Sequence, residues 1–236
     1  MRVAVCLSGD ARGCPECLES LMNCVVRPFQ RSAAVVDILV HTRLDPWWEP
    51  LSKLPFRMLR VERNVKRIDD ADIVGTVNPR SAGDFPGTTR RSFLYQAFLQ
   101  YYRSLAGVAE LKRRAEEQDG TPYDWVVRAR PDVGYKKELV LSDLVFGRIN
   151  FPGGDWWRYK GKECRSDKFA VGSSAHMDVY LNRGAYLREW CEREELHAEG
   201  LMMYQLEREG IPWNILHDFG LFLNPHGYEF SLRPEQ

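Results

Sequence analysis

Hydrophobic positions open the chain without interruption. Val3-Ala4-Val5-Cys6-Leu7 is a continuous apolar run ending in Ser8-Gly9-Asp10-Ala11-Arg12-Gly13, the pattern of a strand covered on both faces and followed by a glycine-bearing turn. The period then changes. Leu18, Leu21, Met22 and Val25 recur at three- and four-residue spacing up to Pro28, which predicts a helix closed by a residue with no N–H to donate. Two more strands are expected, a buried one over Val35 to Thr42 and a shorter one over Arg57 to Val61. Strands alternating with a helix in this order predict a parallel sheet with right-handed crossovers.

From Asp69 to Thr89 the chain is polar and carries Gly75, Pro79, Gly83, Pro86 and Gly87, as expected of a long loop that orders around a ligand. Thr89 then caps a long helix. Phe93, Ala97, Tyr101 and Leu105 form one stripe with Leu94, Phe98 and Tyr102 beside it, and the charged stretch Glu110 to Asp119 carries the helix to Gly120. Over Tyr123 to Arg130, Trp125, Val127 and Ala129 alternate with Val126, Arg128 and Arg130, predicting a strand with one apolar and one basic face that Pro131 ends. The remainder predicts short strands at Ile149 to Phe151, Lys168 to Gly172 and Trp213 to His217. Helices are expected near Ala175 to Leu181, Ala185 to Glu194 and Glu199 to Arg208. No repeat or linker divides the chain, so the expectation is a single α/β domain.

Composition narrows the function classes. The chain has 236 residues with 33 basic and 33 acidic side chains, and a neutral total argues against nonspecific nucleic-acid binding, which needs a basic excess. No apolar run approaches the roughly 20 residues of a bilayer crossing. The N-terminus enters a strand without a signal-type apolar core, so a cytoplasmic location is expected. Six cysteines (Cys6, Cys14, Cys17, Cys24, Cys164 and Cys191) are then expected to be mostly free thiols.

Several segments carry candidate chemistry. In Val127-Arg128-Ala129-Arg130-Pro131-Asp132, two arginines and an aspartate reach the carboxyl end of a strand, where open parallel sheets bind ligands. The guanidinium groups can fork onto phosphate oxygens and Asp132 can hold a hard divalent cation. Alternatively the arginines pair with nearby acids and Asp132 starts a turn. Ser8-Gly9-x-x-Arg12 occupies the same edge of the first strand, and its glycine lets a phosphate approach the backbone. Cys14-Pro15-Glu16-Cys17 is placed as in a glutaredoxin-like redox pair, at a helix N-terminus that would activate Cys14. Asp167 and Glu199 stand at element ends as possible general bases or as caps. His217 ends a strand as a metal or phosphate ligand, or as a structural histidine. Trp47-Trp48 and Trp156-Trp157 are tryptophan pairs of the kind that stack on sugar faces or pack beneath their own loops.

Taken in order, Val3 to Gly9 with Arg12, Asp37 to Thr42, Tyr123 to Asp132 and Asp167 to Ser173 resemble the small GT-A-type glycosyltransferases of bacterial polysaccharide clusters, algae and large algal viruses, including the WavE-like lipopolysaccharide synthesis proteins. The resemblance extends to about Gly210. It implies a GT-A-like, Rossmann-type, mostly parallel sheet flanked by helices, with residues 1–132 as nucleotide-binding half and 133–236 as acceptor-side half. It also implies transfer of a sugar from a nucleotide donor, a UDP-sugar or else a GDP-sugar, to a glycan hydroxyl. Arg-x-Arg-Pro-Asp replaces the usual metal motif, so that Asp132, with His217 as a further ligand, would hold Mn²⁺ or Mg²⁺. Ser8, Gly9, Arg12 and Thr42 would contact the nucleotide beside Arg128 and Arg130, and an inverting reaction would use Asp167 or Glu199 as base. The stretch 69–89 would be the lid. Asp10 and Arg43 replace the glutamine and tryptophan common at those places. A glutaredoxin-like oxidoreductase and a noncatalytic carbohydrate-binding protein remain the alternative classes.

Overall fold

The computed structural model describes residues 1–9, 15–44, 49–62, 88–154, 156–159, 161–187, 189–190 and 197–223, with 15, 88–97, 157, 222 and 223 as main chain only. The expected first strand is β1 (Arg2–Ser8). It is followed by α1 (Pro15–Leu21), a π turn (Met22–Val26), α2 (Arg27–Arg31), β2 (Val35–Arg43), α3 (Glu49–Ser52), β3 (Phe56–Glu62) and α4 (Thr88–Asp119). Then come β4 (Trp125–Ala129), β5 (Val133–Tyr135), β6 (Ile149–Pro152), β7 (Trp156–Tyr159), β8 (Lys162–Arg165), β9 (Phe169–Gly172), α5 (Ser174–Leu181), α6 (Ala198–Arg208), β10 (Trp213–Leu216) and β11 (Leu221–Leu223).

Seven strands make one sheet in the order β3-β2-β1-β4-β9-β6-β10. All run parallel except β9, which is antiparallel to both its neighbours. The chain steps outward from β1 to β2 and β3, then returns through α4 to β4 on the other side of β1. That reversal creates a topological switch at the carboxyl ends of β1 and β4, where Leu7 is in register with Ala129.

Both faces of the sheet are covered, which is why β1 is apolar throughout. Ala4, Cys6, Leu39, Val126 and Ala170 pack with residues of α4, α5 and α6. Val3, Val5, Leu7, Val40, Val127 and Ala129 pack on the opposite side against α1, α2 and the π turn. The basic face expected of β4 is thus an interior face: Arg128 lies beneath α4, not in solvent.

The expected helix stop at Pro28 is overturned. The N–H of Arg27 bonds Met22 O, five residues back, and Pro28 sits in the first turn of α2, where a missing N–H costs nothing. The other helix that sets the site is α4, whose 32 residues extend about 48 Å. Asp119 at its C-terminus pairs with Arg2 and Arg57 at the amino edge of the sheet. Ser104 bonds Gly9 at the carboxyl edge, so the first half of α4 overhangs that edge. The expected helix over 185–194 is entered through a 3₁₀ turn at Arg183–Tyr186 and is α-helical at 187, 189 and 190, while 188 and 191–196 lie outside the described residues.

Candidate functional site at the carboxyl edge

The turn leaving β1 is held from two sides. Gly9 has φ of +119°, a conformation side chains rarely adopt. Its N–H donates to Ser104 Oγ at 2.9 Å, and its carbonyl accepts from Thr42 Oγ1 at 2.9 Å. Gly9 and Thr42, both expected at the nucleotide, therefore spend these groups on each other and on α4. Ser104 Oγ also lies 3.3 Å from Nδ1 of the buried His41. His41 Nε2 is 3.3 Å from Glu62 Oε1, an approach without hydrogen-bond alignment. Burial holds His41 below its ordinary value, although Glu62 pulls the other way. Glu62, which burial alone would raise, is kept low by His41, Arg103 and Arg60.

Beside this turn, Arg130 forks onto Asp132: Nε to Oδ1 at 2.8 Å and Nη2 to Oδ2 at 2.6 Å. The strand's basic residue thus pairs with the acid two residues on, across Pro131. With both oxygens of Asp132 committed to a guanidinium, and no grouping of three or more His, Cys, Asp or Glu side chains suited to a metal among the described residues, this donor set does not fit a divalent cation. His217 is exposed in the turn after β10, three strands from β4, or about 14 Å at sheet spacing. The β5–β11 ladder pairs Leu223 with Val133 and Leu221 with Tyr135, so the chain runs away from Asp132 on going back toward His217. The described residues do not bring the two together.

The second acidic candidate is deeper. Because β9 is antiparallel, Asp167 before it falls at the same carboxyl edge as Arg130, whose N–H bonds Lys168 O at 3.2 Å. Asp167 Oδ2 accepts from Tyr101 and from Arg183 Nη2, the latter at 3.3 Å. Arg183 also donates to Tyr101 Oη. Burial pushes Arg183 down to about 9. Glu199, at the start of α6 after its capping His197, is pushed up to about 8 by burial and by the neighbouring charge of Asp167. His197 Nδ1 accepts from Gly200 N at 3.0 Å, and its ring stacks on Tyr159 with centroids 4.2 Å apart. Burial lowers His197.

Arg128 completes the group from beneath. It is 0% exposed, donates Nη1 to Asp167 O and lies over Tyr101 at 5.7 Å. Tyr101, Ser104, His41 and Arg183 escaped the sequence reading. Tyr101 belonged to an apolar helical stripe, and nothing around Arg183 marked it as interior. Arg12, Cys14, Trp47, Trp48, Cys191 and most of the stretch 69–89 lie outside the described residues. Cys17 is buried, and Cys6, Cys17, Cys24 and Cys164 are free thiols. Burial pushes Cys6 up to about 12 and also raises Cys24 and Cys164, which suits inert thiols. Trp156 is exposed on the β7–β8 hairpin that joins β6 to β9.

These features define an α/β protein with a polar cluster of arginines and carboxylates at the switch point of its sheet. The chain belongs to the family described as Domain of unknown function (DUF7796), which matches residues 1–221. No curated protein matches the sequence. Among the described residues, no helix is long and apolar enough to cross a membrane.

Proposed function

We propose that this chain is a nucleotide-sugar-dependent glycosyltransferase with a GT-A-like fold, acting on a UDP-sugar or GDP-sugar donor and a glycan hydroxyl. The observation that carries the reading is the gathering of Arg130, Asp132 and Asp167 with the β1 turn at one switch point, with Glu199 near enough to feel the charge of Asp167. The sequence resemblance to GT-A-type enzymes supports the same conclusion.

In this reading the donor diphosphate lies across the ends of β1 and β4. Arg130 exchanges one or both of its bonds to Asp132 for phosphate oxygens and neutralises charge as the anomeric C–O bond breaks, the electron pair leaving with the nucleoside diphosphate. The acceptor oxygen bonds the anomeric carbon and its proton passes to Glu199. The Asp167 carboxylate is already bonded by Tyr101 and Arg183, and its charge raises the proton affinity of Glu199. A retaining route would instead pass the acceptor's proton to an oxygen of the departing diphosphate.

The test is a thermal-shift panel of nucleoside diphosphates and sugar nucleotides with and without Mn²⁺, followed by donor turnover. UDP or GDP is expected to raise the Tm of the wild type, and Arg130→Ala to remove most of that rise. Stabilisation that needs Mn²⁺ and disappears in Asp132→Ala would return a cation to Asp132. No stabilisation by any nucleotide and no donor consumption would end the proposal. The exposed Trp156 favours a second reading, a noncatalytic carbohydrate-binding protein; it predicts glycan binding without nucleotide and no donor hydrolysis.

A further inference from the structure

We propose that Arg128 and Ser8 form an interior oxyanion site, between the sheet and α4, that takes a phosphate-type group. The proposal does not rest on sugar transfer.

The first observation is geometric. Arg128 uses Nη1 on the carbonyl of Asp167, while Nε and Nη2 are buried with no hydrogen-bond partner. Those two nitrogens are the side-on edge of the guanidinium, the same edge with which Arg130 grips both oxygens of Asp132. A planar two-donor fork matches the spacing of two oxygens on phosphate or carboxylate.

The second observation is charge. Among the described residues, Asp167 is the acidic group whose charge favours Arg128, and it is shared with Arg183. The carboxylate of Asp167 is engaged by Arg183 and Tyr101, and only its main-chain oxygen meets Arg128. Cys6, in register with Arg128 on β1, is a neutral thiol. Tyr180 is a neutral phenol, raised by burial, and donates to Asp167 O at 3.3 Å. Burial disfavours the charged form of Arg128 more than the Asp167 charge favours it, and an incompletely compensated interior cation is costly to keep.

The third observation is Ser8. It is 1% exposed and its hydroxyl has no hydrogen-bond partner. By strand alternation it shares the α4 face with Cys6, one pleat nearer the carboxyl edge than Arg128. A hydroxyl donor and a free guanidinium fork on adjacent strands, both buried and both unmatched, are what an oxyanion would complete. The group is supplied either by free inorganic phosphate or by the phosphate of a nucleotide.

Thermal unfolding of the full chain would be followed in chloride, phosphate and sulfate at equal ionic strength, with calorimetric titration of phosphate. Phosphate and sulfate are expected to raise the Tm saturably above that in chloride. Arg128→Lys, which keeps the charge and loses the fork, should abolish the rise. Ser8→Ala, which removes only a hydroxyl and serves if Arg128→Lys does not fold, should weaken phosphate binding by about tenfold or more. Competition between UDP and phosphate assigns the site to the nucleotide; simultaneous binding assigns it to the free anion. Equal Tm in all three anions, or phosphate affinity unchanged in Ser8→Ala, would overturn the site. Failure of sugar transfer is read separately, from donor consumption, and leaves these outcomes untouched.

Discussion

Glu199 shows how a single side chain couples the site to pH. Its ordinary value is 4.5 and its folded value about 8. Between the two, the folded chain holds a proton that the unfolded chain has released, so stability falls as pH rises, by at most about 1.4 kcal/mol per pH unit. Glu199→Gln should therefore have a flatter profile of Tm against pH from about 4.5 to 8, and the difference between the two profiles is the measurement. If Glu199 is the base, kcat should rise with pH up to about 8, and Glu199→Gln should lower it by roughly 10²- to 10⁴-fold. Gly9 tests the backbone alone: an added Cβ meets nothing within 4 Å, but φ is +119°. Gly9→Ala is expected to cost about 1–3 kcal/mol through conformation, seen as a lower Tm or denaturation midpoint. Ser8, Asp132 and Asp167 were recognisable as candidates because they sit at strand ends. What each one touches was not, since Arg130 could have paired with any acid within reach and met the one two residues away.

At the scale of elements, α4 sets both the site's roof and its strain. Alanine normally stabilises a helix relative to glycine by about 1 kcal/mol. At Gly107 a Cβ would stand 2.3 Å from the His41 ring, and overpacking of that kind costs typically about 1–3 kcal/mol. The clash exceeds the propensity gain, so Gly107→Ala should lower the Tm, and relief by His41→Ala in the double variant would identify the ring as the cause. The long helix itself was legible from the spacing of Phe93, Ala97, Tyr101 and Leu105. The π turn before Pro28 was not, because proline is read locally as a stop whereas the Arg27 to Met22 bond depends on how α1 and α2 bend over the sheet. Nor did β7 and β8 declare themselves: Trp156 to Arg165 mixes aromatic and charged residues on a hairpin that stands off the main sheet, where no alternation of buried and exposed faces is enforced.

Over the whole molecule, β1, β4, β6, β9 and the helices on both faces share two continuous cores. The parts before and after residue 132 therefore belong to one folding unit. A fragment ending at Asp132 lacks β9 and α5, which cover β4 and meet α4, and is expected to show no cooperative unfolding. The full chain should give one transition at the same midpoint by near- and far-ultraviolet circular dichroism. The run of apolar residues in β1, the periodicity of α4 and the alternation in β4 determined the strands, the helix and the α/β class, because those patterns follow from the geometry of a few consecutive residues. Only the tertiary structure decided that Asp167 stands beside Arg130, that Arg128 is interior and that Asp132 answers to an arginine. These depend on β9 running against its neighbours and on α4 lying across the sheet, and such pairings between distant segments leave no period in the sequence.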